Sequence, residues 1–193
     1  MDALIGVFAG LALSAAVGFR VFVPLLLTGA AARLGYLELT ADMAWLGSDA
    51  ALVALATATV LEVSAYYVPW LDNLLDTIAT PAAIVAGTVA WAAVTPELSP
   101  LLRWTLAVVA GGGAAGVIQA STTLLRLQSS GFTAGLANPV LATGELLGAL
   151  ALSVLGVLVP VLAAVLAVLV LLGLGYLYRR ATNRRNAAPY SKP

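Results

Sequence analysis

The sequence predicts an all-α, polytopic membrane protein with about six transmembrane helices. Three observations predict it. Of 193 residues, 62% are hydrophobic and only 9% are charged, whereas soluble domains carry roughly 25% charged residues. Apolar runs close to the ~20 residues that cross a hydrocarbon core of about 30 Å recur along the chain. Basic residues gather in the final segment, at Arg179, Arg180, Arg184, Arg185 and Lys192.

The first apolar run, Ala3 to Ala32, is interrupted only by Arg20 and is longer than one straight crossing. Gly18 and Pro24 flank that arginine, so "GFRVFVP" predicts a kink or a break between two half-helices. No basic stretch precedes the run in "MDALIG", which reads as a retained span rather than a signal peptide. The polar loop "GYLELTADMAWLGSD" follows, and a second span covers about Ala50 to Val68. "YYVPWLDNLLDTIATP" predicts a short amphipathic helix, ended where Thr80 caps a new helix with Pro81 at its first position. The third span is then Pro81 to about Val94, the fourth Leu101 to Leu125, and "RLQSSGFTAGLANP" a loop. A fifth starts near Pro139 and ends before Pro160, and a sixth continues to Tyr178.

This organisation is one transmembrane domain, residues 1–180, with a basic and disordered tail at 181–193. The positive tail places the C-terminus in the cytoplasm, and six crossings bring the N-terminus to the same side of the inner (cytoplasmic) membrane. Six spans also admit a three-plus-three inverted repeat with broken or re-entrant segments, because Glu62 and Glu145 each lie alone in spans two and five.

The composition excludes several functions. With no Cys and no His, the chain has no disulfide, no thiol chemistry, no His-ligated metal and no histidine base. A formal net charge of zero gives no reason to expect nucleic acid. No cofactor is expected.

The intramembrane polar residues are the candidate site. Asp72, Asn73, Asp76, Thr77 and Thr80 share one helical face. They are either interfacial, beside the aromatic belt of Tyr66, Tyr67 and Trp70, or they wall a cavity and bind a cation or proton. Any metal would fall to Asp72 and Asp76. Glu62, about twelve residues into its span, is expected near mid-membrane, on a face with Thr59 and Tyr66. Arg20 either snorkels or pairs with Glu62 or Glu145, or it faces a cavity and holds an anionic group. Gln119 lies on a stripe with Gly112, Gly116, Thr123 and Arg126, and Asn138 shares a face with Glu145. The row Gly6, Gly10, Ser14 and Gly18 reads as helix packing, with a narrow pore as the other possibility. The apolar sixth span should face lipid or another subunit of a homodimer or higher homo-oligomer.

The stretches "GFRVFVPLL", "AARLGYL", "AWLGS", "LEVSAYYVPWLDNLLDTIATP", "SPLLRW", "AGGGAAG" and "NPVLATGE" resemble a family of small bacterial membrane proteins, domain of unknown function 4126. The resemblance runs from about Leu11 to Leu172 and implies the membrane class without adding a chemistry. The residues themselves favour a small transporter or channel-like protein over an enzyme. Such a protein moves an ion, a proton-coupled solute or a lipid headgroup through a mid-membrane polar site that includes Arg20, Glu62, Asp72, Asn73, Asp76, Gln119, Asn138 and Glu145. A structural or assembly partner is the second reading. An intramembrane enzyme on lipid phosphates is the third, since "DNLLD" lacks the further acidic motifs of a phosphotransferase.

Overall fold

The computed structural model describes residues 2–133 and 135–187, apart from the side chains of residues 69, 70, 72, 73 and 181–187. The described chain is all-α. Helices α1 (Ala3–Val17) and α2 (Phe22–Arg33) precede a 3-10 segment, Ala41–Gly47, and α3 (Asp49–Ala65). Then come α4 (Pro69–Ala93), α5 (Pro100–Leu106), a π-helical segment (Ala107–Gly112), α6 (Gly113–Thr133), α7 (Asn138–Leu158) and α8 (Pro160–Ala187).

The first apolar run breaks at Gly18–Val21, as its Gly, Arg and Pro residues suggest. It does not cross the bundle. A Cβ built on Gly6 would meet the carbonyl oxygen of Val94 at 2.8 Å, so α1 begins beside the end of α4. The chain leaving α2 returns to the same place, where the Thr40 N–H donates to the Ala93 carbonyl at 2.9 Å. Asp42 pairs there with Arg103 at 2.5 Å. Helices α1 and α2 therefore form a hairpin whose tip is the break, and each arm is shorter than a full crossing. Apolar length alone fits one long crossing or two short arms equally well.

By length and composition α4, α5–α6, α7 and α8 can each cross a bilayer, and the 3-10 segment with α3, bent by 63°, makes a fifth such element. Helix α4 lies at the centre, against α1 on one side and the π segment and α6 on another. The small-residue row of α1 is a packing row. The Gly10 Cβ would lie 3.0 Å from the Trp91 ring, and Ser14 Oγ donates to the Gly87 carbonyl at 2.8 Å. Gly87 in turn meets Gly111 and Ala115, so the "AGGGAAG" stretch serves backbone approach to α4.

Two boundaries differ from expectation. Helix α4 runs unbroken from Pro69 through Pro81, so Thr80 caps nothing and the short amphipathic helix is the first part of α4. Proline forfeits one backbone hydrogen bond, whereas a break would leave several N–H and C=O groups to satisfy away from water. Likewise α6 continues to Thr133, through residues expected to be a loop.

Helix α7 runs antiparallel to α1: Gly148 lies near Phe19 and Gly156 near Ala12. Helix α8 returns, bringing Leu174 and Leu177 beside Ser121 and Leu125 of α6. The start of α1 and the end of α8 thus lie at opposite ends of the bundle. By length and composition the described residues hold four such elements, or five with the bent pair, where the sequence predicts six. Helix α8 is helical to Ala187, and residues 188–193 of the expected disordered tail lie outside the described residues.

Candidate functional site

A hairpin tip inside a bundle carries backbone groups that nothing local satisfies. Here α2 starts without a capping side chain of its own. Glu62, in the last turn of α3, supplies the acceptors: Oε1 takes the Val21 N–H at 2.7 Å and Oε2 the Phe22 N–H at 3.1 Å. A carboxylate at a helix N-terminus also meets the positive end of the helix dipole. The buried acid is thus matched to the break that requires it.

The break also fixes Arg20, which is 1% exposed. Its Nη2 donates to the Ala142 carbonyl at 2.8 Å and lies 3.3 Å from Glu145 Oε2. Its guanidinium carbon stands 3.9 Å from the centre of the Tyr66 ring. Arg126 of α6, equally buried, mirrors these contacts. Its Nη1 pairs with Asp76 Oδ1 at 3.1 Å, its Nε with Glu145 Oε1 at 3.3 Å, and its guanidinium carbon lies 4.3 Å from the same ring centre. Glu145 and Tyr66 therefore each bridge the two arginines. Cation–π contact and ion pairing together offset part of the desolvation of two guanidiniums.

A polar chain extends the cluster along α6. Thr123 Oγ1 donates to Asp76 Oδ1 at 3.4 Å, and Gln119 Nε2 donates to Thr123 Oγ1 at 3.3 Å. Asp76, Arg126 and Glu145 each lie about two helical turns, roughly 10 Å, from the nearer end of their helices. The cluster is off-centre along these helices, and Glu62 is at the end of α3. The shift follows from the early end of α3 at Ala65 and the continuous start of α4 at Pro69.

Of the residues singled out in the sequence, Arg20, Glu62, Asp76, Gln119 and Glu145 converge. Asn138 is buried at the start of α7, where its Nδ2 donates to Ser130 Oγ at 3.0 Å and ties α7 to α6. The side chains of Asp72 and Asn73 lie outside the described residues. Sequence reasoning left Arg126 and Tyr66 out of the site, although Arg126 continues the Gln119–Thr123 stripe and Tyr66 follows Glu62 by one turn. Among the described residues, no three Asp or Glu side chains gather as a metal cage would require. The side chains pack on one another, and the cavity touching Glu62 and Tyr66 has mainly apolar walls.

The family model described as Domain of unknown function (DUF4126) matches residues 7–180, and the chain belongs to that family. No curated protein and no solved structure matches it.

Proposed function

We propose that this DUF4126 protein is a small membrane transporter or channel-like protein that moves a proton or a monovalent cation through the cluster around Arg126. One observation carries the reading: three buried carboxyl groups, Glu62, Asp76 and Glu145, share one site with two guanidiniums, Arg20 and Arg126. Fully ionised, these five described side chains carry one formal negative charge in excess. An excess charge in a low-dielectric interior costs up to several kcal/mol, reduced here by the two backbone N–H groups that donate to Glu62. Taking up one proton or one small cation removes the excess, and releasing it restores the strain.

Motion would come from the hairpin tip. Neutralising Glu145 loosens the contact to Arg20, and protonating one Glu62 oxygen weakens its hold on the N–H of Val21 or Phe22 while the other oxygen still accepts. A discontinuous helix beside an ion site is a recurrent transporter device. The basic residues at the end of α8 support a cytoplasmic end there; on this reading the cluster is nearer the cytoplasmic face and the start of α1 is outside.

Liposomes containing the purified protein and an internal pH or cation dye test this. Flux above protein-free vesicles is expected, with a loss of at least tenfold in Glu145→Gln and Asp76→Asn. A protein that moves neither species is not such a transporter. The second reading then stands on its own observation: Glu62 satisfies two buried N–H groups, and the ion pairs tie α4, α6 and α7 to the hairpin, as a structural or assembly protein requires.

A further inference from the structure

A cavity of about 430 Å³ opens between α3 and α4, next to the charged cluster but unlike it in character. Two facing apolar stripes wall it: Ala58, Leu61 and Ala65 on α3, and Leu75, Ile78 and Ala82 on α4. Their spacing of three and four residues keeps each stripe on one helical face. The alanines leave the space open. Leu61 and Ile78 are 65% and 61% exposed, so the mouth opens sideways, toward the lipid that surrounds these helices.

The inner end is different. Among the described residues Glu62 supplies the only carboxylate on the wall, and neither Arg20 nor Arg126 lines the cavity. Each Glu62 oxygen accepts one backbone N–H, whereas an ionised carboxylate has about four acceptor sites. Acceptor capacity for another donor therefore remains on Glu62, which lines the cavity.

We propose that this cavity binds an amphiphilic organic cation, its apolar body between α3 and α4 and its positive head against Glu62. The inference rests on the transport reading and names its substrate class. The volume lies within the ~300–1,000 Å³ of small-molecule sites. A plain hydrocarbon chain would fill the apolar stripes but set its end against a charge that it cannot solvate. A cation with a weakly hydrated, delocalised charge satisfies both walls. It also offsets the negative excess of the neighbouring cluster.

The test is equilibrium binding of tetraphenylphosphonium to the full-length protein in lipid nanodiscs, with triphenylphosphine oxide as the uncharged comparison. Saturable binding of the phosphonium is expected, at least tenfold tighter than that of the oxide. Ala58→Phe, which fills the cavity and leaves Glu62 in place, should weaken it at least tenfold. Glu62→Gln should do the same if it folds, and Ala58→Phe decides the matter if it does not. Equal binding of the two probes, or phosphonium binding unchanged in Ala58→Phe, overturns the proposal. Phosphonium binding without proton or cation flux upholds the site and defeats the transport reading. Flux without phosphonium binding does the reverse.

Discussion

The carboxylate of Glu62 accepts the backbone N–H of Val21 at 2.7 Å, joining the last turn of α3 to the tip of a hairpin 41 residues earlier in the chain. This contact explains why an acid survives in an apolar helix. Helix breaks inside a bundle need acceptors, and a glutamate offers two at once.

Removing that acceptor should be costly. Glu62→Ala leaves the Val21 and Phe22 N–H groups buried without partners, each worth about 1–3 kcal/mol. Glu62→Gln keeps one carbonyl oxygen and should lose less. Thermal unfolding in detergent should rank the wild type above Glu62→Gln and Glu62→Ala lowest. Equal midpoints for the two variants would show that the N–H groups find water instead.

Arg126 and its carboxylates should behave as a unit. Arg126→Met removes a cationic partner from both Asp76 and Glu145, and breaking a buried pair costs about 3–5 kcal/mol. The double variant Arg126→Met with Asp76→Asn should recover part of that loss, with a coupling of about 0.5–3 kcal/mol in a double-mutant cycle. Strict additivity would mean that the two side chains do not interact.

Glycines in the α4 contacts should not tolerate a methyl group. A Cβ on Gly87 would lie 2.5 Å from that of Ala115 and 2.8 Å from the Gly111 carbonyl oxygen. Overpacking of this kind costs about 1–3 kcal/mol, so Gly87→Ala should unfold at lower temperature. Gly113 has nothing within 4 Å of its Cβ position. Gly113→Ala should be neutral or stabilising by about 0.5–1 kcal/mol, from helix propensity.

The hairpin has a direct topological test, because the natural chain has no cysteine. Single cysteines at Asp2 and Glu38 should react with an impermeant maleimide from the same side of the membrane. A cysteine at Gly131, at the opposite end of the bundle, should react only from the other side. Asp2 and Glu38 labelled from opposite sides would restore a first crossing.

Much of this arrangement was legible in the amino acids, and the failures have definite causes. Gly18, Arg20 and Pro24 announced the break, since each opposes a continuous apolar helix. What they could not announce was the direction of the chain afterwards, because a hairpin and a broken crossing bury the same composition. The convergence of Arg20, Glu62, Asp76, Gln119 and Glu145 followed from the rule that buried charges find partners. Arg126 was missed because the apolar run ends at Leu125, which makes the arginine look like a boundary residue. In the fold its helix continues for two more turns. Pro81 misled for the opposite reason, since a local helix-start signal yielded to the demand for unbroken backbone hydrogen bonding.

The hairpin bears on how the protein is made. Helix α1 packs against α4, α6, α7 and α8, every one of them translated after it. The insertion machinery therefore releases α1 into a bilayer that holds none of these four neighbours, and Arg20 cannot form its ion pair with Glu145 until α7 arrives. Docking of the N-terminal arm must be among the last events of assembly. A chain arrested before α7 should leave that arm open to proteases.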